Sequence, residues 1–314
     1  MASRLDARRA RIVAEYGFDF PPCFYRFWHF VNRLAPLAPL HALEESLQIR
    51  LVGPFEILAG RFDGRVPRHS LLLHWRYHDD PPEFFTVLAG GSDGLHWGYF
   101  LDDPPRPDGC VASYYARDAY EFSIDGDDLF EAVRLHLEQS QADLEIYVAE
   151  DPDEAVHYRG RLEQIARVRR LLLEYGTSDR PEQGDEYAER YGGISQRNDR
   201  RIARTREGMG IVAAKTQYRP LSLEDRRLWK QLRRNDQLPE LVAQARQALS
   251  EGFPATALKL GKDLWAIGGK EASRAAAELL DAAYEALGRP LLRQVLQTHL
   301  ACRQLPSVDI LEQD

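Results

Sequence analysis

Apolar and polar residues follow a helical period over residues 238–269, and this stretch organises the C-terminal half of the chain. The apolar positions of its first part recur at steps of three and four: Leu238, Leu241, Val242, Ala245, Ala248 and Leu249. The spacing predicts an amphipathic helix, with Pro239 in its first turn and Gly252 at its exit. Pro254 then opens a second helix, which a pair of glycines at 268–269 closes. The pattern therefore predicts two helices joined by a short corner, Ser250-Glu251-Gly252.

The N-terminal half has the pattern of an antiparallel sheet with helices beside it. Helical spacing predicts helices over residues 1–16, 24–34, 41–47 and 127–139, the second with a core-facing aromatic stripe. Alternating or short apolar runs between turn residues predict strands over 48–52, 71–78, 83–89, 95–101, 109–115 and 119–124. Consecutive strands with tight turns and flanking helices are typical of an α+β fold around an antiparallel sheet.

The C-terminal half is predicted to be mainly helical. Helical patterns also cover residues 162–175, 223–234, 270–287 and 290–303, and their short connections imply antiparallel neighbours. Residues 151–158 have an irregular pattern, and residues 176–193, rich in Gly, Asp and Glu, predict a mobile connection. We expect two domains: an α+β domain over residues 1–150, and a mainly helical domain over residues 151–314 that carries the functional site.

Composition restricts the class of protein. The chain of 314 residues is long enough for two domains, and its net charge of −8 argues against a general nucleic-acid binder. No run reaches the ~18 apolar residues of a membrane span, and residues 1–20 lack the apolar stretch of a signal peptide. The cysteines are few and far apart, which fits a reducing compartment and offers no zinc-ligand spacing.

Two sets of side chains outside the corner could carry chemistry. His74, His78 and His96 are potential metal ligands, but they lie on different predicted strands without a dense set of Cys, Asp or Glu, which favours packing or hydrogen bonding. The arginines between residues 197 and 206 lack interleaved aromatic residues, so they indicate nucleic-acid contact only weakly. A solvated face with i,i+4 pairs and a docking surface for an acidic partner are the other interpretations.

Glu251 has an unusual position for a carboxylate. It follows the C-terminus of a predicted helix, where the macrodipole disfavours negative charge. A corner between two helices is also a place where a scaffold can present a side chain. Glutamate is mostly solvated at turns, so the residue types alone leave its role open.

A series of collinear segments gives a more specific indication. They are FYRFWHF at 24–30, LVGPFEILAG at 51–60, LHWRYHDDPPEF at 73–84, HWGYFLDDP at 96–104, GMGIV at 208–212, YR at 218–219, LGKDL at 260–264 and HLACR at 299–303. Each segment alone is a modest signal. In this order, across residues 18–303, the chain resembles the histone poly(ADP-ribosyl)ation factor family.

The resemblance implies an accessory factor that is not an enzyme on its own. Members bind the catalytic domain of DNA-damage-activated poly(ADP-ribose) polymerases, complete a composite active site and direct modification to serine. The resemblance places the glutamate that acts as general base on Glu251, and the partner-binding arginine that supports it on Arg219, with Tyr218 before it. It implies that this chain binds no metal and no cofactor itself, because the partner enzyme holds NAD.

The chain departs from the family pattern beside the base, where Ser250 replaces an aspartate. Ser250 then joins Arg219 and Tyr218 in the expected partner-binding set. The short N-terminal segment and short middle linker of the chain indicate a compact or bacterial member of the family. We expect it in the cytoplasm if its source is bacterial and in the nucleus if its source is eukaryotic. The expected partners are the polymerase catalytic domain and a serine-bearing protein such as a histone, with no membrane and no nucleic acid.

Two other functions remain open on the residues. A non-catalytic interaction module would bind an ADP-ribosyltransferase or another partner without contributing chemistry, and the Ser250 departure favours it. An independent hydrolase is disfavoured, because the sequence has no G-x-S-x-G elbow and no Ser-His-Asp arrangement in a motif context.

Overall fold

A computed structural model describes residues 2–106, 108–118, 120–150, 155–176, 180–223, 225–232 and 237–312. The helices are α1 (Ala2–Tyr16), α2 (Pro22–Leu34), α3 (Glu44–Leu47), α4 (Pro54–Ala59), α5 (Leu129–Glu150), α6 (Ala155–Tyr175), α7 (Asp185–Tyr191), α8 (Asp225–Leu232), α9 (Leu238–Ser250), α10 (Pro254–Ile267), α11 (Lys270–Ala286) and α12 (Pro290–Ala301). The strands are β1 (Arg50–Leu51), β2 (Phe84–Ala89), β3 (Leu95–Phe100), β4 (Cys110–Tyr115), β5 (Ser123–Gly126), β6 (Arg201–Ala203) and β7 (Ile211–Val212). Within the described ranges, no helix has the length and apolar character needed to cross a membrane.

Strands β1 to β5 form one antiparallel sheet in sequence order. Phe84 on β2 pairs with Phe100 on β3, and Phe100 pairs with Cys110 on β4. These aromatic and small apolar residues suit a pleated surface that is covered on both sides. The N-terminal antiparallel sheet that the sequence predicts is therefore confirmed.

The two faces of the sheet have different covers. On one face, the Phe85 ring lies 5.1 Å from that of Phe18 and the Tyr99 ring lies 5.8 Å from that of Phe20, both in the link between α1 and α2. The opposite face forms a separate buried cluster that includes Met209 from the segment before β7. The rest of this cluster comes from the sheet: Phe84, Phe100, Cys110, Ala112, Tyr114 and Ile124.

Helices α9 to α12 make the C-terminal region mainly helical, as predicted, with α10 at its centre. Every residue of α10 from Pro254 to Trp265 is buried. Gly261 allows α11 to approach closely, because a Cβ added there would lie 2.9 Å from the Leu280 side chain. The division of the chain at residue 150 stays a prediction.

Several predicted elements differ from the observed ones. Residues 71–78 are not a strand. They form a 3-10 turn at Leu71–Leu73 and then an irregular segment, because the Arg76 guanidinium donates to the carbonyls of Leu72, Pro81 and Phe84 and holds the chain in a bend. The predicted helix 41–47 is reduced to α3, preceded by a 3-10 turn at Pro39–His41.

Other differences concern the region between the sheet and the C-terminal helices. Helices α5 and α6 are longer than predicted, and residues 155–158 belong to α6 and are not irregular. The predicted mobile connection contains α7, in which the Tyr187 ring is buried 4.7 Å below the Arg134 guanidinium. Parts of the predicted segments 119–124, 151–158, 176–193 and 223–234 lie outside the described residues.

The arginines between residues 197 and 206 do not form a uniform solvated face. Arg197 is fully buried and donates to both carboxylate oxygens of Asp102, at 2.7 and 2.8 Å. Burial opposes ionisation of Asp102, but the Arg197 guanidinium outweighs it, and the pKa of Asp102 is lowered. Arg200 pairs instead with exposed Asp108 at the surface. The solvated interpretation is therefore wrong for Arg197, which ties the segment before β6 to the end of β3.

We predict that Arg197→Met lowers the free energy of unfolding by about 3–5 kcal/mol, since Asp102 would keep a buried charge without its partner. The surface control Arg200→Met should lower it by less than about 1 kcal/mol. Urea unfolding at pH 7 measures both values. Equal losses in the two variants would contradict a structural role for the buried pair.

Candidate functional site

Glu251 lies at the corner between α9 and α10. Its N–H still donates to the Gln247 carbonyl at 3.0 Å, and the Phe253 N–H reaches back to the Ala248 carbonyl at 2.8 Å. Gly252 has a φ of +89°, the left-handed conformation with which helices commonly end. This closed turn ends α9 and leaves the Glu251 side chain exposed.

Arg219 is held beside the corner by Thr256 in the first turn of α10. The Arg219 N–H donates to Thr256 Oγ1 at 3.0 Å, and the Thr256 hydroxyl donates to the Arg219 carbonyl at 2.6 Å. Thr256 is buried, so these bonds attach the Arg219 backbone to a fixed helix. The Arg219 guanidinium also lies 4.8 Å from the centre of the Phe253 ring, within the range of a cation–π contact.

The Glu251 carboxylate has a partner on each oxygen. Arg219 Nη1 donates to Oε2, and Gln247 Nε2 donates to Oε1 at 2.8 Å. The Arg219 and Glu251 side chains are 44% and 39% exposed, so both remain accessible to another protein. The bond from Gln247, and then the one from Arg219, lower the pKa of Glu251. The group is therefore an accessible, oriented carboxylate that is ionised at neutral pH.

Tyr218 and Ser250 flank this pair. Among the hydrogen bonds of the described residues, neither of their side chains bonds to the Glu251 carboxylate. Tyr218 is half-buried against the core, and burial raises its pKa, with Lys259 opposing the shift. The Ser250 hydroxyl donates to the Gln247 carbonyl at 2.8 Å, one turn earlier on its own helix. The structure thus brings Glu251 and Arg219 into contact and places the other two predicted residues beside them.

A buried ionic cluster lies under the corner. Lys259 Nζ lies 2.8 Å from Asp225 on α8 and 2.7 Å from Asp263 one turn further along α10. Asp263 also accepts the Arg206 N–H at 2.8 Å. These contacts connect α10 to α8 and to the segment between β6 and β7. These contacts therefore hold α10, the helix that follows the Glu251 corner, in a fixed position.

Sequence reasoning missed three residues that shape the site: Gln247, Phe253 and Thr256. Gln247 lies four positions before Glu251, and that helical spacing could have identified it. Phe253 and Thr256 contact Arg219, which is more than thirty positions earlier, and no local pattern indicates that contact.

The candidate histidines have structural partners. His74 Nε2 bonds to Glu56, and His96 Nε2 lies 3.0 Å from Asp80, whose other hydrogen bonds include one from the Tyr114 hydroxyl. Exposed His78 lies 2.8 Å from its neighbour Asp79. Hydrogen bonding, the interpretation that the sequence favours, is confirmed. No group of three or more His, Cys, Asp or Glu among the described residues is arranged to hold a metal ion.

A family comparison covers nearly the whole chain. The model of histone PARylation factor 1 matches residues 7–303. The match includes the corner, the Arg219 segment and the N-terminal sheet.

Individual relatives agree with the family match. Histone PARylation factor 1 of Bos taurus is 29% identical over 321 residues, which cover 96% of this chain and 88% of the relative. The protein of the same name from Danio rerio is 28% identical, covering 96% and 87%, and a putative histone PARylation factor 1-like protein of Homo sapiens is 27% identical, covering 96% and 88%. These are animal proteins of similar length, so they give no support to the expectation of a compact or bacterial member.

We predict that Gln247→Leu and Arg219→Gln each raise the pKa of Glu251 towards its ordinary value, because the first removes a donor to the carboxylate and the second removes the guanidinium and its positive charge. The pKa of Glu251 is lower in the folded state than in the unfolded state. The two bonds therefore stabilise the fold at pH values above the unfolded-state pKa, and this stabilisation is lost as the pH falls through the folded-state pKa. Carboxylate NMR titration measures the change. An unchanged pKa in both variants would contradict the observed bonds.

Thr256→Val should lower the free energy of unfolding by about 1–2 kcal/mol, since it removes both hydrogen bonds to the Arg219 backbone. It should also raise the pKa of Glu251, because Arg219 would be held less well. Thr256→Ser keeps the hydroxyl and should retain the wild-type pKa. Stability and NMR titration check both variants, and a Val variant with an unaltered Glu251 pKa would contradict the positioning role.

Proposed function

The chain belongs to the histone PARylation factor 1 family, and we propose that it is an accessory factor that lends Glu251 as general base to a poly(ADP-ribose) polymerase for serine modification. The observation that carries the proposal is the Glu251–Arg219 pair at an exposed corner. An ionised carboxylate with a fixed orientation is what proton abstraction by a lent group requires.

The proposed chemistry is a substitution at the sugar carbon of NAD, held by the partner enzyme. The serine oxygen forms a bond to this carbon while the bond to nicotinamide breaks, and nicotinamide leaves with the bonding electrons. The Glu251 carboxylate accepts the serine proton as the new bond forms. A serine hydroxyl is a weak nucleophile without a base, so serine modification would depend on the complex.

Docking to the polymerase would raise the pKa of Glu251 and make it a stronger base. In the free chain, Gln247 and Arg219 lower its pKa, and the carboxylate is a weak base. Covering the corner with a partner removes water, which disfavours the charged form and raises the pKa of a carboxylate. If Arg219 turns partly towards the partner, it would release Glu251 further. The base would then gain strength only inside the complex.

The partner and substrate follow from the same proposal. Relatives of this chain are named for a reaction on histones. We propose that this chain binds a polymerase catalytic domain and that its substrate is a serine-bearing protein such as a histone. Action on histones would place it in the nucleus of a eukaryotic source. Ser250 gives less negative charge beside the base than an aspartate, so we expect a weaker preference for strongly basic substrates.

A binding module without chemistry is the second candidate. It is favoured by the fact that both oxygens of the Glu251 carboxylate already have donors in the free chain. In that function, the corner would recognise the polymerase through Arg219, Tyr218 and Ser250, and Glu251 would only orient Arg219.

The two functions are separated by Glu251→Gln in a mixture with a poly(ADP-ribose) polymerase, NAD and a histone peptide. We predict that serine modification falls by at least about 100-fold, because an amide cannot accept the proton, while binding to the polymerase changes by less than about threefold. Mass spectrometry identifies the modified residue, and calorimetry measures binding.

Glu278→Gln provides the matched control. Glu278 is also an exposed glutamate that accepts from an arginine on a neighbouring helix, Arg246. Its replacement should leave both serine modification and binding at wild-type levels. Wild-type serine modification by the Glu251→Gln variant would contradict the general-base function and favour the binding module without chemistry.

A further inference from the structure

A cleft of about 550 Å³ lies away from the Glu251 corner, between the sheet and the end of the chain. One wall is the turn between β2 and β3 at residues 90–94, and another is the end of α12 with the tail at residues 305–308. The backbone N–H of Trp75 donates to the Val308 carbonyl at 2.7 Å, and this bond holds the tail in position along the cleft. The volume is within the range of about 300–1,000 Å³ that is typical of small-molecule sites.

A buried imidazole lies in this cleft. His299 is only 2% exposed and lines the cleft, and its Nδ1 has no hydrogen-bond partner among the residues that the structure describes. Burial, followed by the charge of Arg76, lowers its pKa to about 3, so the ring is neutral. This nitrogen is itself closed off from solvent, so His299 forms part of the cleft wall and gives a ligand no hydrogen bond.

The charges around the cleft favour an anion, although the chain as a whole carries −8. Arg76, Arg117 and Arg303 line it, against Asp79 and Asp93. Arg303 pairs with Asp79 at 3.0 Å, so these two charges cancel, which leaves Arg76 and Arg117 against Asp93.

The three arginines differ in what they can offer. Arg76 has three of its N–H groups committed to backbone carbonyls, so it contributes charge more than contacts. Arg117 is exposed and makes no side-chain hydrogen bond or ion pair with any described residue. It is therefore the arginine available to an incoming ligand, as a planar donor suited to phosphate oxygens.

We propose that this cleft binds a small phosphorylated molecule, with Arg117 contacting its phosphate oxygens and Arg76 adding positive charge at the cleft wall. The volume exceeds what a single phosphate fills, which points to a ligand of the size of a nucleoside diphosphate. This site is independent of Glu251 and of the proposed function.

Calorimetric titration of the full chain with ADP, inorganic pyrophosphate and adenosine at about 0.15 M salt tests the proposal. We expect ADP and pyrophosphate to bind competitively and adenosine, which lacks phosphate, to bind at least about tenfold more weakly than ADP. Failure of both phosphorylated probes to bind at millimolar concentration would overturn the proposal, as would equal binding of ADP and adenosine.

Variants then locate the binding in the cleft. Arg117→Gln should weaken ADP binding by about tenfold, and Arg117→Lys, which keeps the charge but loses the planar pair of donors, should weaken it by less. Arg226→Gln is the matched control, because Arg226 is also exposed but lies on α8 outside the cleft. If Arg117→Gln and Arg226→Gln bind ADP equally well, binding is elsewhere and the assignment is wrong.

Discussion

Helix α10 is buried along nearly its whole length and carries charged residues, and the pairing of those charges determines how the chain is assembled. A buried charge must have a partner. Lys259 finds Asp225 and Asp263, while Lys262 lies 3.5 Å from Glu83 at the start of β2 and 3.3 Å from Glu207 in the segment before β7. One helix therefore holds α8, the sheet and the β6–β7 segment in a single arrangement.

The Glu251 corner is held in place by this arrangement. Glu251 lies three residues before α10, and Thr256 in the first turn of that helix binds both polar groups of the Arg219 backbone. The carboxylate and its arginine are thus oriented by the same buried helix while their charged ends stay at the surface. An exposed ion pair contributes little to stability, so the fold leaves this pair free for the contact with a partner that we propose.

The periodic parts of the chain could be predicted, and the tertiary parts could not. The apolar spacing from Leu238 to Leu249 and the prolines at 239 and 254 are local signals, and α9, α10 and the corner follow from them. The site is not predictable from local pattern, because Arg219 and Glu251 are distant in sequence and only the family resemblance connects them. Arg197 looked like its exposed neighbours, and only the position of Asp102 in the fold explains its burial. Residues 71–78 alternate as a strand does, but the bonds of Arg76 to three backbone carbonyls override that pattern.

The general-base proposal depends on where the Glu251 carboxylate lies when the chain is bound to a polymerase. A structure of this chain with a poly(ADP-ribose) polymerase catalytic domain, an unreactive NAD analogue and a serine peptide measures that position directly. We expect a carboxylate oxygen about 3 Å from the serine oxygen, with the serine oxygen facing the sugar carbon. A complex in which the carboxylate lies farther than hydrogen-bond reach, even through one water, and remains bonded to Arg219 and Gln247 would contradict the proposal.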